Sequence, residues 1–439
     1  GSMLLGNLPF RAFADAAKLA PPDRCFVFAY FSGGWDQLLS LDPRDPAVFT
    51  VDRLAETRIL PAYDLIGDAS YPTTVVTPPR RSGGPESNIT FGPAIGRLAN
   101  HYDLMAVVRG INMTTLGHDE GFRYFLTGKR PIGAAARGSS TATEIVGQMA
   151  PTVPIPSLAY RIETYNDRYP GTANALRVSN NNDLLLTLAA SRTQLDSEIE
   201  KQLVDFRGDK VACEAQLYDR RGLVSAYEGA RSQMREVLDQ RLDNVFRFER
   251  PEDEAVRQQY GLPANGPYDT PAGRAAMIAT ALKRGISQCV SINIAGGLDT
   301  HFGTQRTQAD NQRAGFNALG DLVDDLRKTP HPTGGNFMDH TTILIFSEFS
   351  RTPMLNGQGG RDHHISGSCA ILGKGVKHNV VFGRSGDIAM APGVIDFKTG
   401  MPAPGGRNIL PENVVATILA SAGLDYSILR EDPLHALLA

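Results

Sequence analysis

The chain contains no uninterrupted apolar run of about 18 residues, the length a helix needs to cross a bilayer, so no transmembrane segment is expected. It also lacks an excess of charge of either sign. Lys plus Arg is 44 and Asp plus Glu is 47, a formal net charge of -3, which gives no electrostatic reason to expect nucleic acid as a partner. Cysteine is scarce: Cys25, Cys213, Cys289 and Cys369 are scattered and form no C-x-x-C pair, so neither a zinc ribbon nor a thioredoxin-like redox pair is suggested. The patterns G-x-x-x-x-G-K-[ST], G-x-S-x-G and H-E-x-x-H are missing too, which argues against a P-loop enzyme, a serine hydrolase with the usual elbow and a zincin. Trp35 is the only tryptophan and reads as packing or a pocket wall.

What is present is the texture of an α/β protein. With 439 residues, 42% of them hydrophobic and 21% charged, the chain has room for one large globular domain with an insertion, or for two domains. Cys25 to Phe31 is continuously apolar, as in a strand buried on both faces. Leu104 to Val108, Cys289 to Ile294, Thr341 to Phe346 and Cys369 to Leu372 read the same way. Helical spacing is expected over Ile89 to Asn100, Ala275 to Arg284, Gln312 to Arg327 and Pro411 to Ala422. Such alternation implies a mostly parallel sheet flanked by helices. Asn182 to Phe248 is rich in Leu, Ala, Arg, Glu and Gln, and is expected to form a helical cap inserted within residues 150–270. Gly1-Ser2-Met3 reads as a cloning scar. Leu4 to Ala20, with Ala12 and Ala14 in an A-x-A pattern, reads as the trimmed tail of an export signal or as an amino-terminal helix, leaving 21–439 as the domain.

Hard-ligand residues gather beyond these strands. Asp299 and His301 follow the run ending at Ile294; two residues apart in extended backbone, both can reach one ion. Glu348 follows Phe346 almost directly, where a carboxylate must be paired, solvated or metal-bound. Arg351 can neutralise Glu348 or hold an anionic substrate oxygen. Among Asp362, His363 and His364, one or two are expected to ligate and another to orient or donate a proton, because adjacent residues cannot all point the same way. Asp36, after Ser32-Gly33-Gly34, is a further ligand or a turn aspartate. Strand ends are where an α/β sheet collects its functional groups. Carboxylate with imidazole suits a divalent metal, zinc first, with calcium, magnesium or manganese as alternatives.

The order G-G-x-D, then G-G-x-D-T-H, S-E-F-x-R and D-H-H resembles DUF1501, a bacterial family of exported proteins placed in the alkaline phosphatase/sulfatase-like superfamily, over most of the chain. The resemblance implies an alkaline-phosphatase-like fold, twin-arginine export and a periplasmic or secreted location. It also implies a first metal site from Asp299, His301 and one of His363 or His364, and a second from Asp36 and Glu348. Where phosphatases of that superfamily carry Asp-His, this chain has Glu348-Phe349. Matching Leu126-Thr127-Gly128 to the L-T-G of sulfatases puts His118 near their nucleophile, without the Pro-Ser-Arg core. His118 can then attack, act as general acid, bind metal, or be an ordinary loop histidine; Thr114 or Thr115 can supply a hydroxyl instead, or a metal-activated water can attack. The expected function is a metal-dependent hydrolase of small or polymer-borne phosphate or sulfate esters, with Arg351 neutralising charge. The alternatives are an exported binding protein keeping one structural ion, and a hydrolase of a different bond.

Overall fold

Strand β1 (Cys25–Phe31) shows how the sequence sorts itself into layers. Its alternate side chains Cys25, Val27, Ala29 and Phe31 enter one hydrophobic core, and Phe26, Phe28 and Tyr30 enter another on the opposite face. The computed structural model describes residues 21–188, 198–199, 202, 205–206, 242–302 and 305–439. The expected signal or helix over 1–20, Cys213 and most of the expected helical cap lie outside the described residues.

Around β1 run β2 (Met105–Asn112), β3 (Ser157–Tyr160), β4 (Leu176–Val178), β5 (Cys289–Ala295), β6 (Thr341–Phe346), the two-residue strands β7 (Ser350–Arg351) and β8 (His363–His364), β9 (Ser366–Gly373) and β10 (Val380–Gly383). Eight of them form one sheet in the order β10-β2-β9-β6-β1-β5-β3-β4. The strands pair in parallel except β9, which is antiparallel to both β2 and β6. The α/β expectation therefore stands, as a mixed and mostly parallel sheet. Residues 157–160 and 176–178, inside the range expected to be a helical cap, are sheet strands. At three or four residues they are too short to show a period.

Helices α1 (His118–Thr127), α2 (Thr141–Met149), α3 (Asn181–Leu188), α4 (Glu254–Tyr260), α5 (Pro271–Lys283), α6 (Gln305–Lys328) and α7 (Pro411–Ser421) complete the architecture. The apolar faces of α5 and α6 cover one side of the sheet, and those of α1, α2 and α7 cover the other. α5 starts where Thr270 accepts the Gly273 N–H at 3.1 Å, with Pro271 at its first position. α6 buries Phe316, Leu319, Leu322, Val323 and Leu326 at helical spacing and keeps polar residues outside. Full burial of one such Phe stabilises the fold by roughly 2–3 kcal/mol. The expected helix over Ile89 to Asn100 is only a 3-10 stretch, Gly96–Leu104. Before it, Phe91 exchanges backbone hydrogen bonds with Val76, and Gly92 lies so close to Leu38 and Leu39 that a Cβ would stand 2.2 Å from the Leu38 carbonyl oxygen.

In that stretch His101 is buried, its Nε2 facing the Gly320 carbonyl at 3.1 Å and its Nδ1 facing Arg81. Burial lowers its pKa to about 4, with Arg327 and Arg81 adding to the effect and Asp324 opposing it. The folded pKa lies below the unfolded one, so the unfolded chain binds the proton first as pH falls. The contribution of neutral His101 is complete above about pH 6.5 and is lost down to about pH 4, on the order of 3 kcal/mol. In His101→Gln, the amide can meet the same two partners without titrating. Urea denaturation at about pH 7 and about pH 4.5 should show a smaller acid loss for the variant; equal losses would contradict this account.

Candidate metal centre

Three parallel strands deliver their carboxyl ends to one edge of the sheet: β1 into Ser32–Asp36, β5 into Gly296–His301 and β6 into Ser347–Arg351. Because β9 runs the other way, it is its amino end that meets this edge, bringing residues 361–364 with it. β2 ends at Asn112 on the same side, and α1 begins six residues later with His118. Two glycines allow the close packing. Gly33 has φ +114 and its added Cβ would stand 2.5 Å from the Asp299 backbone nitrogen; a Cβ on Gly121 of α1 would stand 2.4 Å from the Glu348 carbonyl oxygen.

At the centre, three imidazoles turn their Nε2 atoms toward the Asp299 carboxylate. His301 Nε2 lies 3.3 Å, His118 Nε2 3.5 Å and His363 Nε2 3.8 Å from Asp299 Oδ1. His301 Nε2 and His363 Nε2 are 2.8 Å apart. Each Nδ1 is engaged behind: His118 with Glu348 Oε1 at 2.7 Å, His301 with Asp362 Oδ1 at 2.8 Å, His363 with the Leu116 carbonyl at 2.6 Å. All three partners are acceptors, so each Nδ1 carries its hydrogen and each neutral ring presents a lone pair at Nε2. Lone pairs cannot face one another at 2.8 Å without a cation or an additional proton between them. Ligand atoms about 2.0–2.1 Å from a tetrahedral zinc stand roughly 3.3 Å from each other, near the 3.3, 3.5 and 3.8 Å that separate the three Nε2 atoms from Asp299 Oδ1, while the His301–His363 separation is shorter.

Glu348 is buried and acts on the centre through His118. Its Oε1 accepts the Gly33 N–H at 2.8 Å as well as His118, and Oε2 lies 2.8 Å from the Ser347 hydroxyl. Burial raises its pKa, but the hydrogen bonds from His118 and Ser347 outweigh that and the net shift is downward. The same contact raises the pKa of His118 against the effect of burial. Asp299 is held below the usual carboxylate range: burial opposes ionisation, and Arg351, with His118 and His301, more than offsets it. Burial lowers the pKa of His363. The hydrogen bond from His301 lowers that of Asp362, which also accepts from Asn356 at 3.1 Å.

The expected site residues thus separate. Asp299, His301 and His363 come together, and His118, whose buried Nε2 has no hydrogen-bond partner, groups with Asp299 and His363. Glu348 and Asp362 orient rings instead of facing the centre. His364 alternates with His363 along β8, accepts the Ser366 N–H at 3.2 Å and is turned away; burial lowers its pKa to about 4. Asp36 is fully buried against Arg361 at 2.8 Å and caps the Gln37–Leu39 turn, so its carboxylate is already taken. Arg351 holds no room for a substrate oxygen: its buried guanidinium binds Asp299 at 2.6 Å and the carbonyls of Gly33, Gly34 and Arg361. Thr115 accepts the Gly117 N–H at 3.1 Å and lines a separate small cavity beside Tyr124 and Arg130. A signal for His118 existed: the strand expected to stop at Val108 continues to Asn112, which sets His118 just past a strand end like the other groups.

A second trio, Asp23, His331 and His340, lies at the opposite end of the sheet. Both ring nitrogens of His340 face carbonyl oxygens, Asp23 at 3.0 Å and Gly334 at 2.9 Å, so neither offers a lone pair to a metal.

A family model described as a protein of unknown function, DUF1501, matches residues 24–430. None of the curated proteins matches the chain. A solved structure, Ps i-CgsB in complex with k-i-k-neocarrahexaose, aligns with 10% identity and a TM-score of 0.35, covering 94% of this chain and 75% of that one, a likeness too loose to carry an argument.

Replacing Arg351 by Met roughly keeps the volume and removes the guanidinium donor from three carbonyls and from Asp299. We expect a loss of stability on the order of 3 kcal/mol in urea denaturation. A loss under about 1 kcal/mol would contradict the clamping role.

Proposed function

The chain belongs to the DUF1501 family, and we propose that it is an exported, metal-dependent hydrolase of phosphate or sulfate esters on an alkaline-phosphatase-like fold. The observation that carries this reading is the convergence of His118, His301 and His363 through Nε2 on Asp299 while every Nδ1 is tethered from behind. Metal-ligating histidines are held in that way, and loss of such a tether weakens metal binding. The donor set also fits: three imidazole nitrogens and a carboxylate suit zinc better than magnesium or calcium, which prefer oxygen. The unpartnered His118 Nε2 supports the same assignment.

In this reading His118, His301, His363 and Asp299 hold the ion, and Glu348, Asp362 and the Leu116 carbonyl fix the rings. Arg351 keeps Asp299 ionised and aimed. When bound, the zinc would supply Lewis acidity, polarising an ester oxygen and bringing the acidity of water near neutral pH. Ser347 is turned inward to the Phe31 carbonyl at 2.7 Å and to Glu348, so it is not presented to substrate. Water is therefore the nucleophile of the proposal. Partial exposure of Asp299, 54% at its side chain, leaves the centre open to a substrate.

One observation favours a second reading, a binding protein with a structural ion: four protein ligands are enough to close a tetrahedral shell. Elemental analysis of the purified protein should find about one zinc per chain. His118→Ala should lose it, and Glu348→Gln should bind it about 10–100-fold more weakly. Chromogenic phosphate mono- and diesters and sulfate esters then separate the readings. Turnover that stops on chelation supports the hydrolase, zinc without turnover supports the binding protein, and a protein without metal refutes both.

A further inference from the structure

Of the three groups that hold the imidazoles from behind, one stands in solvent. Glu348 is buried and takes hydrogen bonds from Gly33 and Ser347 as well as from His118. The Leu116 carbonyl is main chain and moves only with its loop. Asp362, which faces His301 Nδ1 at 2.8 Å, is 54% exposed at its side chain. A carboxylate at the surface samples several rotamers, and keeping it in one costs conformational entropy. Its aim therefore depends on a further contact.

Asn356 supplies that contact. It is half-buried at the head of the segment Asn356-Gly357-Gln358-Gly359-Gly360, which leads back to Asp362. Its Nδ2 donates to Asp362 Oδ1 at 3.1 Å, the same oxygen that meets His301 Nδ1, and to the His301 carbonyl at 2.9 Å. Its amide oxygen accepts the Gln358 N–H at 3.0 Å and the Gly360 N–H at 3.1 Å. Two donor hydrogens and two acceptor positions are all that an asparagine side chain has, and each is used. Turning the amide over would set like groups against like in all four contacts, so its orientation is fixed by its neighbours.

The loop is shaped to deliver this side chain. Asn356 N–H donates to the Gly360 carbonyl at 2.8 Å, and Gly359 N–H returns to the Asn356 carbonyl at 3.1 Å. Gly359 has φ +75, which a residue with a side chain rarely adopts. Gly360 lies so close to the next segment that a Cβ would stand 2.1 Å from the His301 carbonyl oxygen. Arg361 N–H then donates to the Thr300 carbonyl at 3.2 Å. One amide thus grips both the main chain of His301 and the acid behind its ring.

We infer that Asn356 is a positioning residue of the metal centre, holding the exposed Asp362 carboxylate on His301 Nδ1 so that His301 Nε2 keeps its direction. The inference rests on the proposed metal centre only for what the held ring binds; the grip itself stands on the four hydrogen bonds.

Two measurements on the full chain test it. The first is zinc affinity, by competition with a chromophoric chelator. Asn356→Ala should weaken zinc about three- to tenfold. In an Asp362→Ala background the same substitution should change it less than about twofold, because the residue acts through Asp362. A merely structural role would cost the same in both backgrounds. The second needs no metal: exchange of the His301 Nδ1 proton in chelator-treated, 15N-histidine-labelled protein, assigned by its absence in His301→Gln. Asn356→Ala should speed that exchange about threefold or more. Should the alanine variant fail to fold, Asn356→Asp takes its place in both measurements, since it keeps the acceptor for Gln358 and Gly360 and loses both donors. Unchanged exchange, or equal losses of zinc affinity with and without Asp362, would overturn the inference. A wild-type protein that binds no zinc refutes the metal reading, and the exchange rates still decide the role of Asn356.

Discussion

The guanidinium of Arg351 is buried where three strand-end segments meet, and most of the site depends on what it binds. Its contacts fasten the Gly33–Gly34 turn after β1, the Arg361 carbonyl before β8 and the Asp299 carboxylate after β5. A cation inside a protein is costly unless its donors are used, and here they are used by backbone carbonyls and the Asp299 carboxylate. The same contact keeps Asp299 ionised at the point toward which three histidines turn. A buried Asp36–Arg361 pair repeats the device one layer further in, where Arg361 also binds the carbonyls of Thr352, Leu60 and Pro61. Buried charge in this protein is used to hold loops, and the exposed edge of the same network is where ligands can be received.

The direction of one strand decides which residues reach that edge. Were β9 parallel to its neighbours, the residues before it would lie at the far end of the sheet. Running antiparallel between β2 and β6, it returns Arg361 to His364 to the carboxyl ends of β1, β5 and β6. The two-residue ladder of β7 with β8 then sets Arg351 opposite His363, so clamp and imidazole are registered on one another.

Much of this was legible in the chain. Long, continuously apolar strands such as β1 and β6 announce themselves because both faces are buried, and the D-x-H spacing of Asp299 and His301 placed both at the centre as expected. Other parts were not legible, for physical reasons. β3 and β4 are too short to show a period, and their place in the sheet comes from pairing alone. Asp36 and His364 carry the right chemistry, but a partner distant in sequence, Arg361, takes the first, and the alternation of an extended strand turns the second away. Of the roles open to Glu348, paired, solvated or metal-bound, burial beside His118 and Ser347 leaves the paired one. Arg351, expected on Glu348 or on a substrate oxygen, is taken by Asp299 and backbone carbonyls. The role of His118 required knowing that β2 continues to Asn112.

The tethered histidines have a topological consequence. His301 and His363 are 62 residues apart, and His118 is 230 residues from the Glu348 that positions it. An ion shared by these rings would close long chain loops as a disulfide does, and such closure stabilises mainly by restricting the unfolded chain. In a protein whose described cysteines are all free thiols buried in the core, that single ionic rivet would be the cross-link joining the beginning, middle and end of the sheet.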